Sequence, residues 1–260
     1  MLRSFTDQMN HHIAVSFPPK RIVSLVPSQT ELLAAFGLDN QVVGITKFCV
    51  HPEEWLSKKT IIGGTKSFHF DIIDKLQPDL IIGNKEENYE EGIRHLQEKY
   101  PVWMSDIVSL DDALNMIQGI SQVTGKETEG SKITQTIQQS FETLKTSHGQ
   151  SILYFIWRNP WMVAGSGTFI HTMLEKLSLK NVAPSSRYPV LSSDEIHRLK
   201  PDYILLSSEP YPFQEKHIAE LKQISPSSRI ILVDGEMFSW YGNRLIFAPD
   251  YFNSLSALLQ

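Results

Sequence analysis

The chain has 260 residues, 41% of them hydrophobic and 20% charged, which is enough to bury the core of one large domain or of two lobes. Its net charge of −5 and its lack of a lysine or arginine run argue against a nucleic-acid partner. The single cysteine, Cys49, excludes a disulfide framework and a cysteine-based zinc site, and its apolar neighbours favour a packed side chain.

The N-terminal segment, residues 1–19, is polar where a signal peptide has its apolar core, and no cysteine near the start could carry a lipid. His11 and His12 look like part of a tail. No apolar run reaches the roughly 18–20 residues of a membrane span. From these features alone we expect a soluble chain without an evident export signal.

Short apolar runs alternate with helical patterns along the first part of the chain. Strands are predicted at residues 21–26, 41–46, 60–64, 80–82 and 101–104. Helices are predicted at residues 31–36, 71–76 and 89–99. This alternation is typical of parallel βαβ units, and it predicts an N-terminal α/β lobe over residues 1–108.

A long polar tract follows, in which Leu114, Ile117, Ile120 and Val123 recur at a spacing that suits one helical face. We predict an inter-lobe backbone helix over residues 109–148, with Gly125 as a candidate break. The strand–helix pattern then restarts and predicts a C-terminal α/β lobe over residues 149–260. Its predicted elements are strands at 152–156, 203–206 and 230–233 and helices at 171–177 and 249–258.

An internal repeat supports two similar lobes. Residues 71–82 align with residues 194–205 at a constant offset of 123, and each copy reads as a short helix, a Pro-Asp turn and a buried strand. The alternative is that Leu-x-Pro-Asp before a strand is simply a common helix-to-strand connection. Two similar lobes joined by a helix predict a ligand cleft between them.

Ligands of parallel α/β sheets meet the loops at the carboxyl ends of the strands. In this chain those loops are rich in aromatic and charged residues. The flat faces of the aromatic rings suit a planar chelate, although the rings could instead cap the core. The predicted ligand-binding residues are Lys85, Glu86, Glu87, Asn88, Trp157, Arg158, Trp161, Arg187, Tyr188, Glu209, Tyr211, Trp240 and Tyr241.

The charges in these loops also follow the repeat, because Glu86 and Glu209 are related by the same offset. We expect the two carboxylates to face each other across the cleft, where they could bind a cationic ligand, a metal or arginines of a partner. The basic residues Lys85, Arg158 and Arg187 could hold an anionic ligand group. Alternatively, these charges form a salt bridge between the lobes.

The sequence offers little for catalysis. It lacks a P-loop, a Gly-x-Gly-x-x-Gly after a strand and a Gly-x-Ser-x-Gly elbow, and its nine histidines have no zinc-binding spacing. We therefore predict no catalytic residue and no metal site formed by the protein alone.

The segment at residues 21–33 and both copies of the repeat resemble the helical-backbone (class III) periplasmic binding proteins of ABC importers, over about residues 20–260. Residues 84–88, 157–162, 209–213 and 239–242 resemble a branch described as cobalamin-binding proteins or helical backbone metal receptors. The resemblance implies two Rossmann-like lobes with parallel sheets, a rigid backbone helix and small lobe movements.

The resemblance also implies a ligand such as cobalamin, haem or a ferric siderophore, an ABC permease and ATPase as partners, a monomeric state and a periplasmic or other extracytoplasmic location. One acidic residue per lobe would dock on the permease, and the matching positions are Asp71 and Asp194, both aspartates where glutamate is usual. Thr65 and Asn84 stand where the cobalamin receptor has tryptophans.

Two other functions remain open at this point. The first is an intracellular enzyme or chaperone that acts on a metal cofactor, which the absent export signal and the polar loop at residues 84–88 favour. The second is a receptor for a bare zinc or manganese ion, for which clustered histidines in the cleft would be expected.

Overall fold

The computed structural model describes residues 1–146 and 149–259, which divide into two compact units. The N-terminal unit consists of Met1–Ile107, Asp111–Gln138 and Tyr241–Ile246. The C-terminal unit consists of Val108–Leu110, Gln139–Trp240 and Phe247–Gln260. Residues 147 and 148, at the end of the predicted inter-lobe helix, lie outside the described residues.

The strands of the N-terminal unit are β1 (Leu2–Thr6), β2 (His12–Ser16), β3 (Ile22–Ser24), β4 (Val42–Ile45), β5 (Thr60–Ile61), β6 (Gly63–Gly64), β7 (Ser67–Phe68), β8 (Leu80–Asn84) and β9 (Val102–Ser105). Five of them form a parallel sheet with the order β5-β4-β3-β8-β9. The first four helices of the unit are α1 (Pro27–Ala35), α2 (Trp55–Lys58), α3 (Phe70–Leu76) and α4 (Glu90–Gln97). The central strands β3 and β8 are completely buried, in keeping with their mainly apolar sequence, and each ends in a buried polar residue, Ser24 or Asn84.

The N-terminal segment is a β-hairpin, β1 with β2, and not the polar tail that the sequence suggests. The Asp7 carboxylate organises the turn, because it accepts hydrogen bonds from the backbone N–H groups of Met9 (2.9 Å) and His11 (2.8 Å). Its second oxygen accepts the N–H of Met104 on the edge strand β9 (3.1 Å), and the N–H of Gln8 donates to the Met104 carbonyl (3.1 Å). The hairpin therefore covers part of the β9 edge, a contact without a local sequence signature.

The predicted backbone helix is divided into α5 (Leu110–Thr124) and α6 (Glu127–Glu142). The break lies at Gly125, which has a φ of 72°. The N–H of Lys126 donates to the Ser121 carbonyl (2.7 Å) and that of Gly125 donates to the Gln122 carbonyl (3.3 Å). This is the pattern of a Schellman motif, in which a left-handed glycine ends a helix.

The strands of the C-terminal unit are β10 (Ser151–Trp157), β11 (Trp161–Val163), β12 (Lys180–Asn181), β13 (Val190–Leu191), β14 (Tyr203–Ser207) and β15 (Arg229–Val233). They form a six-stranded mixed sheet with the order β13-β11-β10-β14-β15, in which β12 also pairs with β10. The helices of the unit are α7 (Phe169–Lys176), α8 (Ser193–Leu199), α9 (Glu215–Ile224), α10 (Gly235–Ser239) and α11 (Ala248–Leu258). The sequence did not predict β11, β12, β13, α9 or α10.

The internal repeat is confirmed in the backbone. Helices α3 and α8, and strands β8 and β14, begin and end at positions that differ by 123 residues. Both helices end in a left-handed residue, Gln77 (φ 45°, ψ 60°) and Lys200 (φ 43°, ψ 54°). In both copies the aspartate of the Pro-Asp turn holds a neighbouring strand, since Asp79 accepts the N–H of Arg21 and Asp202 accepts that of Ser151, each at 2.8 Å.

Two further observations concern the single cysteine and the apolar content of the helices. Cys49 is buried, as predicted, and its sulfur contacts the hydroxyls of Thr30 (3.0 Å) and Thr46 (3.2 Å), while burial raises the pKa of the thiol. Among the described residues, no helix is long and apolar enough to span a membrane.

Candidate functional site

In the N-terminal unit, the loop that follows β8 is fixed by the last residue of that strand. The side-chain oxygen of the buried Asn84 accepts the N–H groups of Glu86 (2.8 Å) and Glu87 (3.0 Å). Its amide group donates to the Ser105 hydroxyl (3.0 Å), and its own backbone N–H donates to the side chain of Asn88 (2.9 Å). The loop backbone is thus held in one conformation before any ligand arrives.

The far end of the same loop is also fixed. The buried Asn88 side chain donates to the carbonyls of Leu25 (3.2 Å) and Thr65 (3.1 Å). The ammonium group of Lys66 donates to the Glu86 carbonyl (2.6 Å), and it also reaches the Asn88 carbonyl (3.3 Å). Asn88, predicted as a ligand contact, is therefore a structural residue of the loop.

The charged side chains of this loop are exposed or half-buried. Lys85 forms an ion pair with Asp106 (2.6 Å), which belongs to the same unit. This pair is therefore not the salt bridge between lobes that the sequence offered as an alternative. Glu86 and Glu87 are half-buried. Glu86 and Glu209 belong to different units, and their facing each other stays a prediction.

In the C-terminal unit, the predicted aromatic residues form one cluster at the carboxyl ends of β10 and β14. The Trp157 ring meets the Tyr211 ring edge-on (5.6 Å between centroids), and Tyr211 contacts Phe213 (4.8 Å). Phe213 stacks on Trp161 (6.4 Å). Phe213, Trp161 and Tyr211 pack against the core, whereas Trp157 is 41% exposed. Core capping thus explains much of the set, and Trp157 offers the open aromatic face.

A bidentate ion pair borders this cluster. The Arg158 guanidinium donates to both carboxylate oxygens of Glu220 (2.8 and 2.9 Å), and these hydrogen bonds raise the pKa of Arg158. The same guanidinium lies 5.6 Å from the centre of the Trp161 ring. Arg158, predicted to hold an anionic ligand group or to bridge the lobes, is thus compensated within its own unit.

The phenol of Tyr211 is hydrogen-bonded to His217, a buried residue of α9 (3.1 Å). The backbone N–H of Gln214 donates to the other ring nitrogen, Nδ1 (2.9 Å). Burial is the main cause that lowers the pKa of His217, with the neighbouring Lys216 adding to it. The neutral ring is therefore the form that this environment favours.

Glu209, on the loop after β14, holds two side chains that follow β15. One of its oxygens accepts the Ser239 hydroxyl (2.5 Å) and the Trp240 indole N–H (2.9 Å). Trp240 is buried, so little of its ring is open to a ligand, in contrast to the predicted wall position. Burial raises the pKa of Glu209, the two hydrogen bonds oppose that rise, and the nearby Glu236 adds to it.

We expect Glu209→Gln to raise Tm at pH 8 by roughly 1–3 °C. The folded-state pKa of Glu209 lies above the unfolded value, so ionised Glu209 lowers the stability of the folded protein. The protonated side chain contributes fully to stability below the unfolded pKa of about 4.3, and this contribution is lost as pH rises through the folded pKa. The gain should shrink toward pH 4, as thermal melts at several pH values can show. The exposed Glu215→Gln on α9 is the control, and a pH-independent gain would contradict the prediction.

Three other predicted residues lie apart from the aromatic cluster or outside its unit. Arg187 is exposed, donates to the Gly167 carbonyl (2.6 Å) and lies 5.5 Å from the Tyr188 ring. Tyr241 is buried in the N-terminal unit, not in the C-terminal lobe as predicted. The next residue, Gly242, packs closely on the backbone of this unit, since a Cβ there would lie only 2.7 Å from the Ser28 carbonyl oxygen.

Sequence reasoning missed several residues of these surfaces. Phe48, three residues after the end of β4, is 50% exposed, and the Lys47 ammonium lies 5.1 Å from its ring centre. The signal for Phe48 was its place after the predicted strand at residues 41–46, because ligands meet the loops at the carboxyl ends of such strands. Glu220 and His217 lie on the unpredicted helix α9, so nothing in the local pattern indicated them.

The predicted permease-docking aspartates occupy equivalent places in the two units. Asp71 and Asp194 lie in the first turns of α3 and α8, and both are exposed. Asp71 is 3.8 Å from the Lys75 ammonium across one turn. Over residues 1–146 and 149–259, no three histidine, cysteine or acidic side chains are placed to hold a metal ion.

Comparison with known proteins adds a family context. A family model described as periplasmic binding protein matches residues 22–224. The chain is 27% identical over 212 residues to YvrC of Bacillus subtilis, an uncharacterised ABC transporter substrate-binding lipoprotein, covering 76% of this chain and 67% of that protein. It is 24% identical over 202 residues to the vitamin B12-binding protein of Vibrio cholerae, covering 75% and 73%.

Among solved structures, the periplasmic haem-binding protein RhuT from Roseiflexus aligns with a TM-score of 0.80 at 21% identity. The alignment covers 92% of this chain and 97% of that one. This similarity confirms the predicted α/β fold class. The named relatives are binding proteins.

Proposed function

The chain belongs to the periplasmic binding protein family, and from that premise we propose that it is the substrate-binding component of an ABC-type importer for a metal chelate. Cobalamin, haem and ferric siderophores are the ligand candidates, because relatives are named for vitamin B12, haem and petrobactin binding. Its partners are then an ABC permease and ATPase, and its place of action lies outside the cytoplasmic membrane, as the names of its relatives suggest.

The observation that carries the ligand class is the exposed Trp157 at the carboxyl end of β10, held against Tyr211. A large aromatic ring that stays 41% exposed at the end of a strand provides a flat surface for a planar ligand. The rigid, acidic loop after β8 supports a binding role for the N-terminal unit, because Asn84 and Asn88 fix it in advance.

The equivalent placement of Asp71 and Asp194 supports a docking role. Each is exposed in the first turn of a short helix, and the two helices are related by the repeat. We propose that they contact basic residues of the permease, with aspartates in place of the usual glutamates.

The proposed function is tested with cyanocobalamin, ferric haem and a panel of ferric siderophores, each followed by the change in Tm and by tryptophan fluorescence. A ligand at about 100 times its Kd adds about 2.7 kcal/mol to the free energy of unfolding. If none of these chelates shifts the melting curve, the ligand class is wrong.

Trp157→Ala is expected to weaken binding of the chelate by about 1 kcal/mol or more, which is at least about fivefold in Kd. The fold should survive, because the ring is largely exposed. Isothermal titration calorimetry measures the loss. Leu258→Ala, which shortens another exposed apolar side chain of the same unit, is the control and should leave Kd unchanged. Equal affinities for the two variants would remove Trp157 from the site.

A further inference from the structure

We propose that the N-terminal hairpin binds an extended segment of a partner polypeptide, without net charge, as an additional strand along β2. The segment lies in a groove of about 510 Å³ that residues 11–14 and 97–102 line. This groove belongs to the N-terminal unit and contains none of the predicted ligand-binding residues. The interaction therefore goes beyond the proposed function and does not depend on it.

The backbone of β2 offers hydrogen-bonding groups to this groove. The N–H of Phe17 donates to the Met1 carbonyl (2.8 Å), so in the antiparallel register the odd-numbered residues of β2 are the ones bonded to β1. The N–H and C=O groups of His12 and Ala14 therefore point away from β1. Because β1 and β2 form a sheet by themselves, β2 has a strand neighbour on one side only among the described residues.

The backbone of β9 is also turned away from its own neighbour at this place. The N–H of Ile81 on β8 donates to the Pro101 carbonyl (2.9 Å). In the parallel register the backbone groups of Val102 and Met104 therefore point away from β8. Those of Met104 are bonded to the hairpin turn, whereas Val102 lines the groove. A strand in the groove can thus bond to β2 on one side and reach β9 on the other.

The size of the groove favours a single strand. A strand residue fills roughly 160 Å³, given a rise of about 3.3 Å, a strand spacing of about 4.8 Å and a sheet spacing of about 10 Å, so the groove holds about three residues. Consecutive residues line it in both segments, which is expected for strand edges and not for one face of a strand. A second copy that paired through its own β2 would bring β1 with it, and two strands do not fit in this space.

The lining of the groove determines which kind of segment fits. Ile13 and Pro101 provide apolar contacts, whereas Lys99 and Glu98 contribute one charge of each sign. The Lys99 ammonium is already paired with Asp74 (2.9 Å). This balance does not favour an anion such as phosphate. Recognition depends on the backbone, and a segment of apolar or β-branched residues suits it best.

The probe for the test is the capped peptide acetyl-Ser-Val-Thr-Val-Ser-amide, added at millimolar concentration to the isotope-labelled full chain and followed by amide NMR. The wild type should show saturable shifts of the amide signals of His12 and Ala14. The same peptide N-methylated at its central residues cannot donate the hydrogen bonds of an added strand, so it should bind about tenfold more weakly or worse.

Ala14→Pro removes an N–H that faces the groove and leaves the bonds to β1 in place, because proline is tolerated on the free edge of a strand. The peptide should then no longer shift the amide signal of His12. Ser4→Pro is the matched control, since Ser4 stands opposite Ala14 and its N–H points to the other edge of the hairpin. This variant should bind the peptide like the wild type. Tm values of the free variants establish that each one is folded.

Equal binding of the two peptides, or no saturable shift in the wild type, overturns the docking of a strand on β2. If Ala14→Pro does not fold, the comparison of the two peptides on the wild type decides alone. Self-association of the wild type in sedimentation experiments that Ala14→Pro abolishes would assign this edge to a second copy, and it would overturn the proposal as well. Binding of metal chelates is measured separately, so the proposed function stands or fails independently of these outcomes.

Discussion

Asp7→Ala is expected to lower the free energy of unfolding by roughly 3 kcal/mol or more, because it removes a buried carboxylate that satisfies three backbone N–H groups. Two of these groups, on Met9 and His11, form the hairpin turn, and the third, on Met104, belongs to the edge strand β9. Urea unfolding measures the loss. Hydrogen exchange should show the amide of Met104 losing its protection first.

The control for this variant is Glu98→Ala, which removes an exposed carboxylate from the same unit and should change stability by no more than about 0.5 kcal/mol. A second consequence follows from the freed edge of β9. An unpaired strand edge promotes association, so Asp7→Ala should also form dimers or larger species in sedimentation experiments. An Asp7→Ala protein as stable as Glu98→Ala would show that the hydrogen bonds of Asp7 do not stabilise the fold.

Asn84→Ala is expected to lower the free energy of unfolding by roughly 2–4 kcal/mol and to release the loop at residues 85–88. The substitution leaves the N–H groups of Glu86 and Glu87 and the hydroxyl of Ser105 without the partner that Asn84 provides. Hydrogen exchange at residues 86 and 87 reports the release. Because a loop that must be ordered on binding costs affinity, Kd for the chelate should rise as well.

Lys85→Ala tests whether the loop backbone or its surface charge matters. Lys85 is 55% exposed and forms a surface ion pair with Asp106, so its removal should cost less than about 1 kcal/mol and leave the exchange of residues 86 and 87 unchanged. Unaltered protection in Asn84→Ala would rule out Asn84 as the residue that holds this loop.

The expected and observed structures differ in where helices begin and end. The Schellman motif at Gly125 divides the predicted backbone helix, and the glycine had marked the place in the sequence. Helix α10 begins where the Asp234 side chain accepts the N–H of Glu236 (3.0 Å). The segment was predicted as a loop, because a helix of five residues is too short to show a periodic apolar pattern.

The site residues also differ in what the sequence could predict about them. Their positions after strand ends could be predicted, whereas their partners could not. Arg158 pairs with Glu220, 62 residues later, and Glu209 holds Trp240, 31 residues later. Neither pairing follows a helical or strand period. Tertiary packing alone decides that Trp157 remains exposed and Trp240 becomes buried.

The sequence by itself determined the alternation of strands and helices, the repeat and the loops in which ligand-binding residues were sought. These features depend on local periodicity and on turn residues such as the Pro-Asp pairs at Asp79 and Asp202, which act over a few neighbouring positions. The tertiary structure decided which charges are compensated, which rings stay open and that Asp7 reaches β9, 97 residues away. Such contacts depend on how distant segments pack, and no local pattern of residues encodes them.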